Sequence, residues 1–188
     1  MKKEAIKYAQ RGWAVMACQA CSKEPNFNIM KRAYLSATTD TEQIEAIFDI
    51  APNSNIGIAV STSGLIVIDI DYRNGGSRLP AFKATYTVST GDGLHLYYRT
   101  NPGNSFYGKY ADGIDIKHKG YVVAAPSIHP NGKTYTVIDD RDPIELPASI
   151  YQRIIKTELV AAWTDLIFLE FCLFLAPAFA GDLSTADV

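Results

Sequence analysis

Several common protein classes are excluded by what this sequence lacks. It has three cysteines in 188 residues, too few for a disulfide framework, and no secretory signal follows its opening Met-Lys-Lys-Glu. A reducing, cytoplasmic setting is therefore expected. No apolar run reaches the ~20 residues that a membrane-spanning helix needs. The nearest, LIFLEFCLFLAPAFA at residues 166–180, is broken by Glu170 and Pro177. It reads as a helix packed against the body or a partner, with no membrane role. The phosphate-binding pattern GxxxxGK[ST] is missing too. NGKT at residues 131–134 has Ser127 where the first glycine would stand, so it reads as a hairpin turn and no nucleotide-driven motor is encoded. Basic charge is also short: the net is −2, unlike a protein that coats nucleic acid with its whole surface. No Lys or Arg follows Lys156, whereas five acids do. Residues 1–156 thus hold all 18 basic residues and 15 of the 20 acids, a net of +3, enough for a local basic groove.

What the chain does have is 47% hydrophobic residues, ample for one core. The sequence divides into a body at residues 1–156 and an apolar, acidic C-terminal helix or tail at 157–188. In the body, EAIKYAQRGW predicts an amphipathic helix stopped by Gly12, and WAVMAC a strand. A long polar connection follows. TTDTEQIEAIFDI predicts a second helix capped by Thr39 or Asp40. From Asn55 onward, short runs of β-branched and aromatic residues alternate with Gly, Asn and Pro: NIGIAV, LIVIDID, TYTVS, HLYYRT, GIDIK, YVVAAP and TYTVI. Helical character returns after Ile144. The expected class is α+β, centred on an antiparallel or mixed sheet with flanking helices.

LIVIDID raises the chemical question. Residues two apart on a strand share a face, so Asp69 and Asp71 project together while Ile66, Ile68 and Ile70 face the other way. Two neighbouring carboxylates repel, and a hard divalent cation relieves that repulsion. An isolated DxD is more readily read as a strand end meeting solvent, with both acids hydrated. Three further stretches bear on the choice. STGDGLHLYYRT places a glycine turn, Gly91 and Gly93, before a strand opening with His95. Glycines let backbone amides approach phosphate oxygens, and a histidine can donate to them. GIDIK sets a third acid, Asp115, in an apolar strand with Lys117 two residues on. YVVAAPSIHPNG runs a strand into a Pro-Ser turn beside His129. Cys18 and Cys21 have the spacing of half a zinc site, but no second pair exists and Cys172 is distant, so zinc is not expected.

In this order the pieces resemble the bifunctional DNA primase/polymerase (prim-pol) domain of the archaeo-eukaryotic primase superfamily. The carriers are the DxD strand, the [ST]GxGxH turn, the hydrophobic-Asp strand and the Pro-Ser-x-His turn. YAQRGWAV, Lys23 and Pro25 in SKEP, ATTD at residues 37–40 and Gly75-Gly76 sit in the family's order. Ala125-Pro126-Ser127 stands where the family commonly has Pro-Pro-Ser. The resemblance implies an RRM-like catalytic sheet and two-metal nucleotidyl transfer with Mg²⁺ or Mn²⁺. It implies Asp69, Asp71 and Asp115 as metal ligands, these with His95 as the catalytic set. Nucleotide contacts fall to Ser89, Thr90, Gly91, Gly93, His95, Lys117, Ser127 and His129. The implied partners are a DNA template and primer, a dNTP or NTP, and a helicase domain or protein, in the replication of a plasmid, phage or other mobile element. Tyr97, Tyr98, Tyr107 and Tyr110 are candidate base-stacking residues, although core or edge packing is the favoured reading for Tyr97 and Tyr98, one of which must face inward. A non-catalytic DNA-binding initiator module and a metal-dependent nuclease remain as alternatives.

Overall fold

The computed structural model describes residues 1–101 and 103–156; the tail helix expected at 157–188 lies outside the described residues. The chain opens with α1 (Lys2–Gln10), which buries Ala5, Tyr8 and Ala9. Gly12 takes a left-handed φ of 79° and ends it, as glycine does at little steric cost. The turn delivers Trp13 into the core, stacked between the rings of Tyr8 and Tyr97 at 5.5 Å from each. Strand β1 (Val15–Cys18) follows, buried throughout. Helix α2 (Thr41–Ile50) starts at Asp40, whose carboxylate accepts from the amides of Glu42 and Gln43, and it buries Ile44 and Phe48.

The remaining strands are β2 (Asn55–Ala59), β3 (Leu65–Asp71), β4 (Thr87–Ser89), β5 (Gly93–Arg99), β6 (Lys109–Ala111), β7 (Ile114–Lys117), β8 (Tyr121–Ala124) and β9 (Thr136–Asp139); α3 (Ala148–Ile154) comes last. They form two sheets where one was expected. Three strands pair as β1-β2-β8 and six as β6-β7-β3-β5-β4-β9. Every strand pair in both sheets is antiparallel. The architecture is α+β with few helices, compatible with a primase fold.

Strand β3 explains why a greasy run ends in acids. Ile66, Ile68 and Ile70 face one core with Leu96, Tyr98 and Ile116, closed by Ile150 and Ile154 of α3. Each buried isoleucine contributes roughly 1.5–3 kcal/mol relative to exposure. Leu65 and Val67 face a second core, shared with Trp13, Tyr97, α1, α2 and the three-stranded sheet. The next two residues on that face are Asp69 and Asp71, and they are only half-buried. The acids stand where the second core stops covering the sheet. Since both faces are covered along β5, Tyr97 and Tyr98 are both fully buried, so neither is available to stack on a base.

Candidate active site

Pairing register brings the acids together. On one side Asp69 lies opposite His95 of β5, and on the other opposite Asp115 of β7. Directly opposed residues in antiparallel strands are ~4.5–5.5 Å apart at Cα. Asp71 follows two residues along the same face. Glycine makes this closeness possible at two points. A Cβ on Gly93, opposite Asp71, would stand 1.8 Å from the carbonyl oxygen of Ile70. A Cβ on Gly113, where φ is +65°, would stand 2.2 Å from the amide nitrogen of Gly76. The segment after β3 therefore lies directly on the entrance to β7.

The three carboxylates are engaged by cations and polar donors. Lys117 Nζ is 2.8 Å from Asp115 Oδ2 and 3.5 Å from Asp69 Oδ2. His95 Nε2 is 3.5 Å from Asp69 Oδ1. Burial would push the Asp69 carboxyl up, but the hydrogen bond and charge of His95, with Lys117 and Lys23, bring it down to about 2. Asp71 accepts from the Arg73 amide at 2.9 Å, from its guanidinium at 3.3 Å and from Asn74 Nδ2 at 2.8 Å. Its carboxyl is lowered, first by the hydrogen bond from Arg73. Burial would lower the Lys117 ammonium, yet the carboxylates of Asp115 and Asp69 raise it.

Around this centre the connecting turns are tied to one another. Asp92 accepts from Lys133 Nζ and Asn131 Nδ2, both at 2.8 Å, and lies 3.6 Å from Arg73 Nε. His129 lies over Gly91 so closely that a Cβ there would stand 2.5 Å from its ring. The Tyr135 ring sits beside both His95 and His129, at 5.9 and 5.7 Å. Two clefts open on the centre. One, of about 490 Å³, is acidic and includes Asp69, Asp71, Asp115 and Asp112. The other, of about 310 Å³, is flanked by Lys23, Lys117, Tyr121 and Tyr135. A smaller recess between Lys23, Arg73, Thr90, Asp92, His95 and His129 adjoins them.

Asp69, Asp71, Asp115, His95, Lys117, Thr90 and His129 thus converge, shaped by Gly91 and Gly93. Ser127 does not join them. Expected among the nucleotide contacts, it is instead fully buried, and its hydroxyl accepts from the Ile56 amide at 2.8 Å, tying the Pro-Ser turn to β2. Ser89, in β4, lines none of these clefts. Conversely, pattern reading did not single out Lys23, Asp92, Tyr121 or Tyr135 as site residues. Lys23 is exposed on a loop anchored by a bond from the Tyr121 hydroxyl to its carbonyl at 2.8 Å. The order of SKEP within the family pattern was its only signal.

The donor set suits a hard cation: three carboxylates on adjoining strands, beside a buried His95 Nδ1 that has no hydrogen-bond partner. Among the described residues no three Asp, Glu, His or Cys side chains stand close enough together to hold a metal ion. Lys117 pairs with Asp69 and Asp115, and Arg73 with Asp71. Cys18 is buried in the core and Cys21 is exposed. Among the described residues no helix is long and apolar enough to cross a membrane.

Sheet, acids and surrounding cations together define an α+β domain equipped to handle polyanionic substrates. The chain belongs to the bifunctional DNA primase/polymerase family, whose N-terminal domain it matches over residues 5–149. That membership makes DNA primase/polymerase function, of the nucleotidyltransferase type, the general activity of the domain, with DNA and nucleotides as its substrates. Among curated proteins none matches the chain.

Proposed function

We propose that this protein is a template-directed nucleotidyltransferase that joins a (d)NTP to a primer 3′-hydroxyl or an initiating nucleotide, with the six-stranded sheet serving as an RRM-like catalytic platform. The observation that carries it is the cross-strand row His95–Asp69–Asp115, with Asp71 beside it on the same face. Asp69, Asp71 and Asp115 would hold Mg²⁺ or Mn²⁺. When bound, such a pair of ions supplies charge stabilisation at the α-phosphate and at the leaving pyrophosphate. The chain's own residues do the rest by position and charge, which is most of what phosphoryl transfer asks of a protein. His95 and Thr90 face the recess that would receive the phosphates; Lys23 and Arg73 supply its positive charge, and Lys117 that of the adjoining cleft. The Tyr121 and Tyr135 rings wall the cleft on the side where a sugar or base would lie. Replication of a plasmid, phage or mobile element, alongside a helicase, is the setting the family resemblance implies.

The test is primer extension with a labelled primer-template, dNTPs and Mn²⁺, for the wild type and Asp69→Ala. Strand growth by the wild type and a loss of ~10²–10³-fold in the variant are expected, the scale on which single electrostatic groups of an active centre act. Shortened strands would mark a nuclease built on the same acids. Strand binding with neither growth nor shortening would mark a non-catalytic initiator module.

A further inference from the structure

A second concavity, of about 470 Å³, lies outside the acidic centre, walled by Gln19, Asn26, Phe27, Asn28, Asn53 and their neighbours. None of its lining residues is charged, so it offers nothing to a metal ion or an isolated phosphate. What it offers is amides and a ring. Asn26 Nδ2 is engaged, donating to Ser54 Oγ at 3.2 Å. The side chains of Gln19, Asn28 and Asn53 make no hydrogen bond among the described residues. Phe27 stands 54% exposed, outside both cores. The same connection carries exposed Lys31, Arg32 and Tyr34.

This surface is firmly held. The Asn26 amide donates to the Ala17 carbonyl at 3.0 Å and the Gln19 amide to the Glu24 carbonyl at 2.8 Å. Asn55 Nδ2 bonds the carbonyls of Ser22 and Ile128 at 2.9 and 2.7 Å. Met30 plugs the connection into the core. The chain that walls the groove at Gln19 and Ala20 goes on to present Lys23 to the acidic centre, then returns to the groove at Asn26. One turn of backbone therefore borders both.

Free amides donate and accept in one plane, as base edges do, and an exposed ring offers a face on which any base can stack. Lysine and arginine outside an uncharged groove suit a sugar-phosphate backbone running past it. We infer that this groove receives an unpaired base of the single-stranded template next to the catalytic centre. The inference rests on the template-directed reading above and adds to it the place where the strand is gripped.

The experiment uses the full chain and a fluorescent single-stranded oligonucleotide carrying one 4-thiothymidine. Affinity is read by anisotropy, and the photo-crosslinked peptide is mapped. Phe27→Ala combined with Asn28→Ala changes only exposed side chains. It is expected to weaken strand binding by ~10-fold, as loss of one stacking platform does, to raise KM for template, and to leave kcat and KM for dNTP at saturating template unchanged. Crosslinks should fall within residues 19–32 or 51–54, the two stretches that border the groove. Unchanged strand affinity in the variant, or crosslinks confined to other segments, overturns the inference even if the enzyme polymerises. Weakened binding and crosslinks at the groove in a protein that never extends a primer uphold the groove as a strand site and overturn the polymerase reading instead.

Discussion

Replacing Lys117 by methionine removes the cation that Asp69 and Asp115 share, and its cost follows from the geometry. Lys117 Nζ stands 2.8 Å from Asp115 Oδ2 and 3.5 Å from Asp69 Oδ2. At an effective dielectric of about 20 each contact is worth roughly 5–6 kcal/mol in Coulomb terms. Water reaches Asp115, whose side chain is 51% exposed, and the lysine loses rotamer freedom in bridging. Those effects reduce the net contribution to about 1–2 kcal/mol. In a domain of this size that is a fall in Tm of about 3–6 °C without divalent cation. The variant also leaves Asp69, Asp71 and Asp115 facing one another with less compensation, so a divalent cation should bind it more tightly. A ligand at ~100 times its Kd stabilises by about 2.7 kcal/mol. Adding Mn²⁺ should therefore raise the Tm of Lys117→Met by more than that of the wild type, closing much of the gap between them. Thermal unfolding followed by circular dichroism, with EDTA and with a Mn²⁺ series, measures both quantities. A variant as stable as the wild type in EDTA, or one that gains no more from Mn²⁺, refutes the claim that these carboxylates share a cation-dependent field.

Four further outcomes are expected. The Asp69 carboxyl, lowered to about 2 against ~3.9 for a free aspartate, contributes stability that is fully present above about pH 4–5 and lost as the pH falls toward 2. Urea unfolding of the cation-free wild type should thus weaken between pH 5 and 2 by about 2 kcal/mol more than that of Asp69→Asn, and parallel slopes contradict this. Gly93→Ala would drive a Cβ into the Ile70 carbonyl. It should cost more than ~3 kcal/mol or leave no folded protein, readable from expression and Tm. Ser127→Ala leaves the buried Ile56 amide without its partner. It should cost ~1–3 kcal/mol while nucleotide incorporation per folded molecule stays within about twofold; a larger loss would return Ser127 to the nucleotide site. Lys23→Ala, at an exposed side chain, should leave Tm unchanged and raise KM for the nucleotide by ~10-fold, the scale of one charge-assisted bond to phosphate; an unchanged KM removes it from the site.

Period-two reading of LIVIDID was enough to put Asp69 and Asp71 on one face and three isoleucines on the other, because a single strand settles that question locally. The end of α1 at Gly12 and the cap of α2 at Asp40 were legible for the same reason, since each depends on a few adjacent residues. Pairing partners are not local. Nothing within GIDIK says that Asp115 lies opposite Asp69, and the ordered resemblance to a family stood in for that knowledge. The split into two sheets was not legible, nor was β6, whose three residues KYA lack a run of β-branched side chains. For Tyr97 and Tyr98 core packing was the favoured reading, with one of them required to face inward; both are buried, because β5 is covered on both faces. Ser127 misled because a serine in a turn carries no mark of whether its hydroxyl meets a ligand or the amide of Ile56.

The division of labour between strands and turns has a further consequence. The acids and His95 are borne by the middle of a sheet, each strand clamped by neighbours on both sides, while Lys23, Arg73, Asp92 and Lys133 are borne by the connections around it. Strand residues cannot shift without dismantling the core beneath them, but turns can be exchanged, lengthened or recharged at small cost. Descendants of this scaffold can accordingly change which nucleotide or strand they favour by rewriting a few surface bends, and inherit the underlying chemistry unaltered.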